Sequence, residues 1–158
     1  MQLYRIPKAF KPEERRAYVL RFLGDVVTVP LHWDGHGNVP CLGRECRHCP
    51  GATRRRGYVA AQVLQKAPDQ WISIVFEITE GIAGKFDGIE PRGWIASVRR
   101  VRLGSGSQIS LEWLEHVDND LPPVFDVRPI LLRLWGLEDK SLAEAPERRS
   151  TIKFPQSG

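Results

Sequence analysis

The sequence predicts a mainly β chain: a small antiparallel barrel that carries a cysteine-bearing insertion and one or two short helices. Three observations lead there. Short apolar runs recur between Gly, Pro and Asp punctuation, and few are long enough for a helix. Residues 30–57 gather all three cysteines and three of the four histidines yet show almost no apolar periodicity. Such a stretch cannot hold a shape through a core of its own. Apolar residues make up 42% of the chain against 27% charged, enough to build one folded domain rather than a disordered segment.

The elements follow in order. Residues 17–23 form an apolar run that Gly24-Asp25 interrupts and 26–29 resume, the pattern of a bent or bulged strand or a tight hairpin. The insertion comes next, its turns supplied by Pro30, Gly35, Gly37, Pro40, Gly43, Pro50 and Gly51. Strands are expected at 57–64 and 71–78, joined by a turn at 66–70. Thr79 is placed to cap a short helix over 80–86, although Gly81 and Gly84 weaken it. Residues 94–101 and 109–114 read as further strands around a flexible 103–107 turn, the second alternating apolar and polar. Pro129 near the first helical position suggests a helical turn through Trp135. This order, with a helix after the third strand, fits the five-stranded OB-fold; a small α+β roll is the competing architecture.

The 158 residues amount to one domain over 1–137, with the insertion at about 32–50 and a flexible tail at 138–158. No apolar run reaches the length of a spanning helix, and the first residues show no secretory h-region. An odd number of cysteines argues against a disulfide framework, so a cytoplasmic, reducing compartment is the expectation.

Cys41, Cys46 and Cys49 form a C-x4-C-x2-C pattern set among Arg, Glu and Gly. Core cysteines sit in apolar runs, and a redox pair needs no third thiol and has a strand-to-helix context absent here. A C-x2-C pair grips one tetrahedral ion from a tight turn, and the third thiol closes the loop around it. One structural zinc is the expectation, with a histidine as fourth ligand. His32, at the end of an extended segment, is preferred over His36 in a Gly-rich turn and over His48 inside the C-x2-C loop. Four such ligands saturate the ion, which argues against catalytic zinc.

A His at the end of the first barrel strand, then C-x4-C-x2-C, then arginines leading into Gly57-Tyr58-Val59, resembles the zinc-containing OB-fold single-stranded DNA-binding proteins of the T-even phage type. The likeness spans about residues 15–115. The ligand spacings are shorter here, and the acidic tail of many single-strand binders is missing. The resemblance implies a single strand as partner, with replication, recombination or mobile-element proteins around it.

The basic residues agree with that. Only six of the 23 basic residues are lysine, so arginine dominates a net charge of +4. Arginine pairs with phosphate bidentately and stacks on flat rings. Arg54, Arg55 and Arg56 precede Tyr58, and Arg92 precedes Trp94. Arg99, Arg100 and Arg102 fall in a stretch, Pro91 to Leu111, without an acidic residue. Together with Trp71 these are the candidate contacts, cations for phosphates and rings for bases. Each ring could equally be core and each arginine ordinary surface. The sequence carries no Gly-rich phosphate loop and no paired His/carboxylate metal signature, so an enzyme is not expected. The function read from it is single-stranded DNA binding with little sequence preference. The alternatives are a zinc-knuckle protein–protein adaptor in a nucleoprotein or mobile-element complex, and an RNA-binding module.

Overall fold

A computed structural model describes residues 7–51, 53–65, 70–104 and 106–143. Its backbone is an eight-stranded sheet with two strands off the main path. In chain order the strands are β1 (Lys8–Ala9), β2 (Ala17–Phe22), β3 (Val27–Trp33), β4 (Asn38–Pro40), β5 (Thr53–Gln65), β6 (Gln70–Ile78), β7 (Trp94–Leu103) and β8 (Gly106–His116). The order across the sheet is β1-β6-β5-β2-β7-β8, with β3 pairing β4 and β5. Every pairing is antiparallel except that of β1 with β6. The expected 66–70 turn lies outside the described residues apart from Gln70.

The 17–29 run is one strand bent in two. β2 pairs the far half of β5, with Leu20 opposite Val63, and β3 pairs its near half, with Val27 opposite Tyr58. The chain bends at Leu23–Asp25, where Leu23 N donates to Ala60 O at 2.8 Å. Gly24 is buried there, and a Cβ would run into Val124. β5 begins four residues earlier than the apolar pattern suggested, so Arg54–Arg56 lie on a strand rather than in a loop.

The sheet does not close into a barrel. β1 pairs the middle of the outer edge of β6, at Ile74 and Val75, and among the described residues no ladder joins β6 to β8. A 3₁₀ helix (Glu80–Phe86) packs against β8, burying Ile82 and Phe86, and its Lys85 O accepts from Trp113 Nε1 at 3.1 Å. Thr79 does not cap that helix; its hydroxyl is buried without a hydrogen-bond partner among the described residues.

Strand alternation builds two cores. On one face Leu20, Phe22, Val59, Ala61, Phe76, Ala96 and Val98 pack with Ile82 and Phe86. On the other, Leu23, Val29, Leu31, Tyr58, Ala60 and Val75 are covered by helix α1 (Val127–Leu134) through Val127 and Leu131. Asp126 caps α1, accepting from Arg128 N at 3.0 Å, and Pro129 is its third residue rather than its first. A proline is still free of cost there, since the first four helical N–H groups have no intrahelical acceptor. Residues 138–143, expected to be loose, are tied down in part. Leu142 packs on the second core and Ala143 N donates to Cys41 O at 2.9 Å. Residues 144–158 of the expected tail lie outside the described residues.

Gly93 marks the junction of β2, β7 and β8. It holds φ at 92°, donates to Phe22 O at 2.9 Å and accepts from Val117 N at 2.8 Å. An added Cβ would stand 2.5 Å from Val117 O. Gly93→Ala should therefore cost roughly 2–4 kcal/mol. Denaturant unfolding checks it: the midpoint falls and the slope stays.

Candidate metal centre

The centre is assembled by the β3–β4 hairpin and the loop that follows it. His32 sits inside the ladder, opposite Val39 on β4 and Thr53 on β5, and is 2% exposed. Cys41 leaves β4 directly, and its N–H donates to Pro30 O at 2.9 Å. The loop tightens through a 3₁₀ turn (Gly43–Glu45), with Cys46 N donating to Gly43 O at 3.1 Å. Gly51 N then donates to His48 O at 2.9 Å and turns the chain toward β5.

These turns bring the ligand atoms of His32, Cys41, Cys46 and Cys49 within 4.8 Å of one another. Cys41 and Cys49 Sγ are 3.6 Å apart, and Cys49 Sγ is 3.4 Å from His32 Nε2. A tetrahedron built on metal–sulfur bonds of about 2.3 Å has edges of roughly 3.8 Å, and a shorter metal–nitrogen bond shortens one end. The cluster has these dimensions and can hold one metal ion. All three cysteines are free thiols.

The other two histidines near the insertion stand outside it. His36 lies in the hairpin turn, which Asp34 caps: its Oδ1 accepts from His36 N at 2.8 Å and Gly37 N at 2.9 Å. Those two bonds hold the Asp34 carboxyl below its usual range. The His48 ring centre is 5.8 Å from that of His32, and His48 is not among the four clustered ligands.

Without a cation the thiols do not ionise alike. Burial opposes ionisation of Cys46, but hydrogen bonds at the Leu42 and His48 backbone and with the Cys49 and Cys41 thiols outweigh it and draw the group down to about 6. Cys49 is pushed up to about 11 by hydrogen bonding with Cys41 and then Cys46. A metal ion entering the cluster displaces the proton that Cys49 holds.

The candidate contact residues are mostly committed to the fold. Tyr58 is 6% exposed, and burial, then the charge of Glu77, pushes its hydroxyl well up. Arg56 pairs with Glu77 at 3.0 Å. Trp94 packs on Trp113 and His116, with ring centres 5.7 and 5.3 Å away. Trp71 is covered by the Arg21 guanidinium, 4.3 Å from its ring centre. Arg92 donates to Leu23 O at 2.7 Å and Pro122 O at 3.1 Å. Arg100 donates to Pro12 O and Ser107 Oγ, both at 3.0 Å, and Arg102 pairs with Glu14 at 2.7 Å. Arg54, Arg55 and Arg99 are exposed, and their side chains have no hydrogen-bond or ion-pair partner among the described residues.

Comparison with known proteins finds no matching family, no similar curated protein and no similar solved structure.

The registers also separate the arginines in space. Arg99 faces Ala17, which lies beyond the far end of β5, whereas Arg54 and Arg55 occupy its near end beside the metal centre. About ten residues of strand, roughly 30 Å, lie between them. Two further arginines, Arg44 and Arg47, are close in sequence to Arg54 and Arg55, which as successive residues of β5 face opposite sides of the sheet. All four are exposed on the segments flanking the cysteines. Their signal was proximity to the cysteines, which reads as loop chemistry until the loop is folded. Among the described residues no helix is long and apolar enough to cross a membrane.

Proposed function

We propose that the chain is a zinc-stabilised, OB-like domain that binds single-stranded DNA with little sequence preference. The observation that carries this is four arginines on the segments flanking the cysteines, Arg44, Arg47, Arg54 and Arg55, all exposed and without ion-pair partners among the described residues. Unpaired guanidinium groups on a rigid frame are what a phosphate chain requires. Three thiolates and one imidazole favour zinc among the available ions, and a saturated set assigns it a structural role. The strand order supports the OB-like reading. With β2 and β3 taken as one bent strand, the order across the sheet becomes third-second-first-fourth-fifth, and the OB-fold tolerates partial opening. On this reading the chain is similar to the T-even phage type of zinc-containing single-strand binder.

Salt dependence tests it. On a single strand, log K should fall with log salt by about 0.7 for each phosphate contacted. Replacing Arg54 and Arg55 together by Ala should flatten that slope by roughly one to one and a half units. Unchanged affinity and slope, or duplex outcompeting a single strand of equal length, would end the reading.

One observation favours a protein–protein adaptor instead. Arg56, Arg92, Arg100 and Arg102 are used internally, and Arg99 stands far from the metal centre, so among the described residues the candidate arginines do not form one continuous row. An adaptor would show no salt-steep nucleic-acid binding at all. Tighter binding to RNA than to DNA of the same sequence would move the domain to the RNA-binding alternative.

A further inference from the structure

Tyr58 is buried, Trp94 is half-buried against Trp113, and Trp71 is half-buried under Arg21. One aromatic side chain among the described residues is mostly exposed. It is Trp33, at 59%. We infer that Trp33 is the base-stacking residue of the single-strand site, with Arg54 beside it for the adjoining phosphate.

The placement follows from the ladder. Successive residues of β3 face opposite sides, so Leu31 and Trp33 share a face while His32 turns to the other. Leu31 pairs with Arg54 on β5, so Trp33 is the diagonal neighbour of Arg54 on that face. The adjoining turn is itself uncrowded: a Cβ at Gly35 or Gly37 would meet nothing within 4 Å. The ring also sits on a restrained strand. Asn38 pairs with Trp33, and His32, its neighbour in the chain, belongs to the metal cluster. A backbone held in place before binding loses little freedom when a base stacks on the side chain it carries. An exposed tryptophan serves no core, and its exposure next to an unpaired guanidinium matches a ligand that alternates flat bases with anionic phosphates.

The inference rests on the single-strand reading, and the test separates the two. Zinc-loaded protein is titrated with oligothymidylate and with an abasic oligomer of the same length. Wild type should prefer the oligomer with bases. Trp33→Ala should weaken thymidylate binding by about 5- to 150-fold and change abasic binding little, while Trp33→Phe keeps most of the preference. Trp33→Ala binding thymidylate like wild type, or losing equally on both oligomers, would overturn the role of Trp33. Wild type binding neither oligomer would overturn the single-strand reading itself.

Discussion

Cys41→Ser should abolish stoichiometric metal binding and loosen the β3–β4 hairpin with the loop behind it. The expected effect is large because the insertion has little else to hold it. Structural zinc in small sites contributes about 10–16 kcal/mol of apparent binding energy, and three remaining ligands recover only part of it. Metal analysis should give about one zinc per wild-type chain and little for Cys41→Ser. His32→Ala should behave the same way, and His36→Ala should keep the ion, since His36 lies in the turn away from the cluster. Acid should act in the same direction as mutation. Cys49 carries its proton up to about 11, and a bound metal must displace it. Below that value affinity therefore rises with pH and falls as pH falls, by about tenfold per unit for each proton displaced. A chelator competition run between neutral and mildly acidic pH measures this. A wild-type chain that stays fully folded after chelation would refute the structural role.

Phe22→Ala should be the most damaging single change in the sheet itself. The ring is 0% exposed and makes edge contacts with Phe76, Phe86 and Trp113, at centre distances of 5.5, 5.6 and 5.6 Å. It thereby ties β2 to β6, to the 3₁₀ helix and to β8 in a sheet that has no closing ladder. Losing it should cost about 3–5 kcal/mol, which for a chain of this size lowers the thermal midpoint by on the order of 10 °C. Trp33→Ala, by contrast, should leave the midpoint within a degree or two, because an exposed ring contributes little to stability. The pair makes a control for any binding experiment. A midpoint for Phe22→Ala near that of wild type would mean the core does not depend on this ring.

Local pattern in the sequence was enough to locate β5 to β8, the break in the first apolar run and the residues of the metal cluster. Each of these is written in neighbouring residues: alternation, a Gly-Asp break, and thiols spaced for one ion. What escaped it depends on partners far along the chain. Nothing in the two residues of β1 announces that they will occupy the edge of β6. Arg92 reads as a surface cation until Leu23 and Pro122 supply its acceptors, and Arg100 and Arg102 until Pro12 and Glu14 do. Trp33 and Trp94 are the same residue type in similar company. Only the register shows that one projects into solvent while the other meets Trp113.

The bond from Ala143 N to Cys41 O has a consequence for how the chain is made. Ala143 leaves the ribosome about a hundred residues after Cys41, which at roughly 5–20 residues per second is a delay of about 5–20 s. Leu142, whose side chain seals the second core beside the hairpin, arrives equally late. For those seconds the three thiols have emerged but lack their final brace. All four ligands of the cluster precede residue 50, so the ligand set is synthesised first and this bond to Cys41 is added only after the last strand, β8, has emerged.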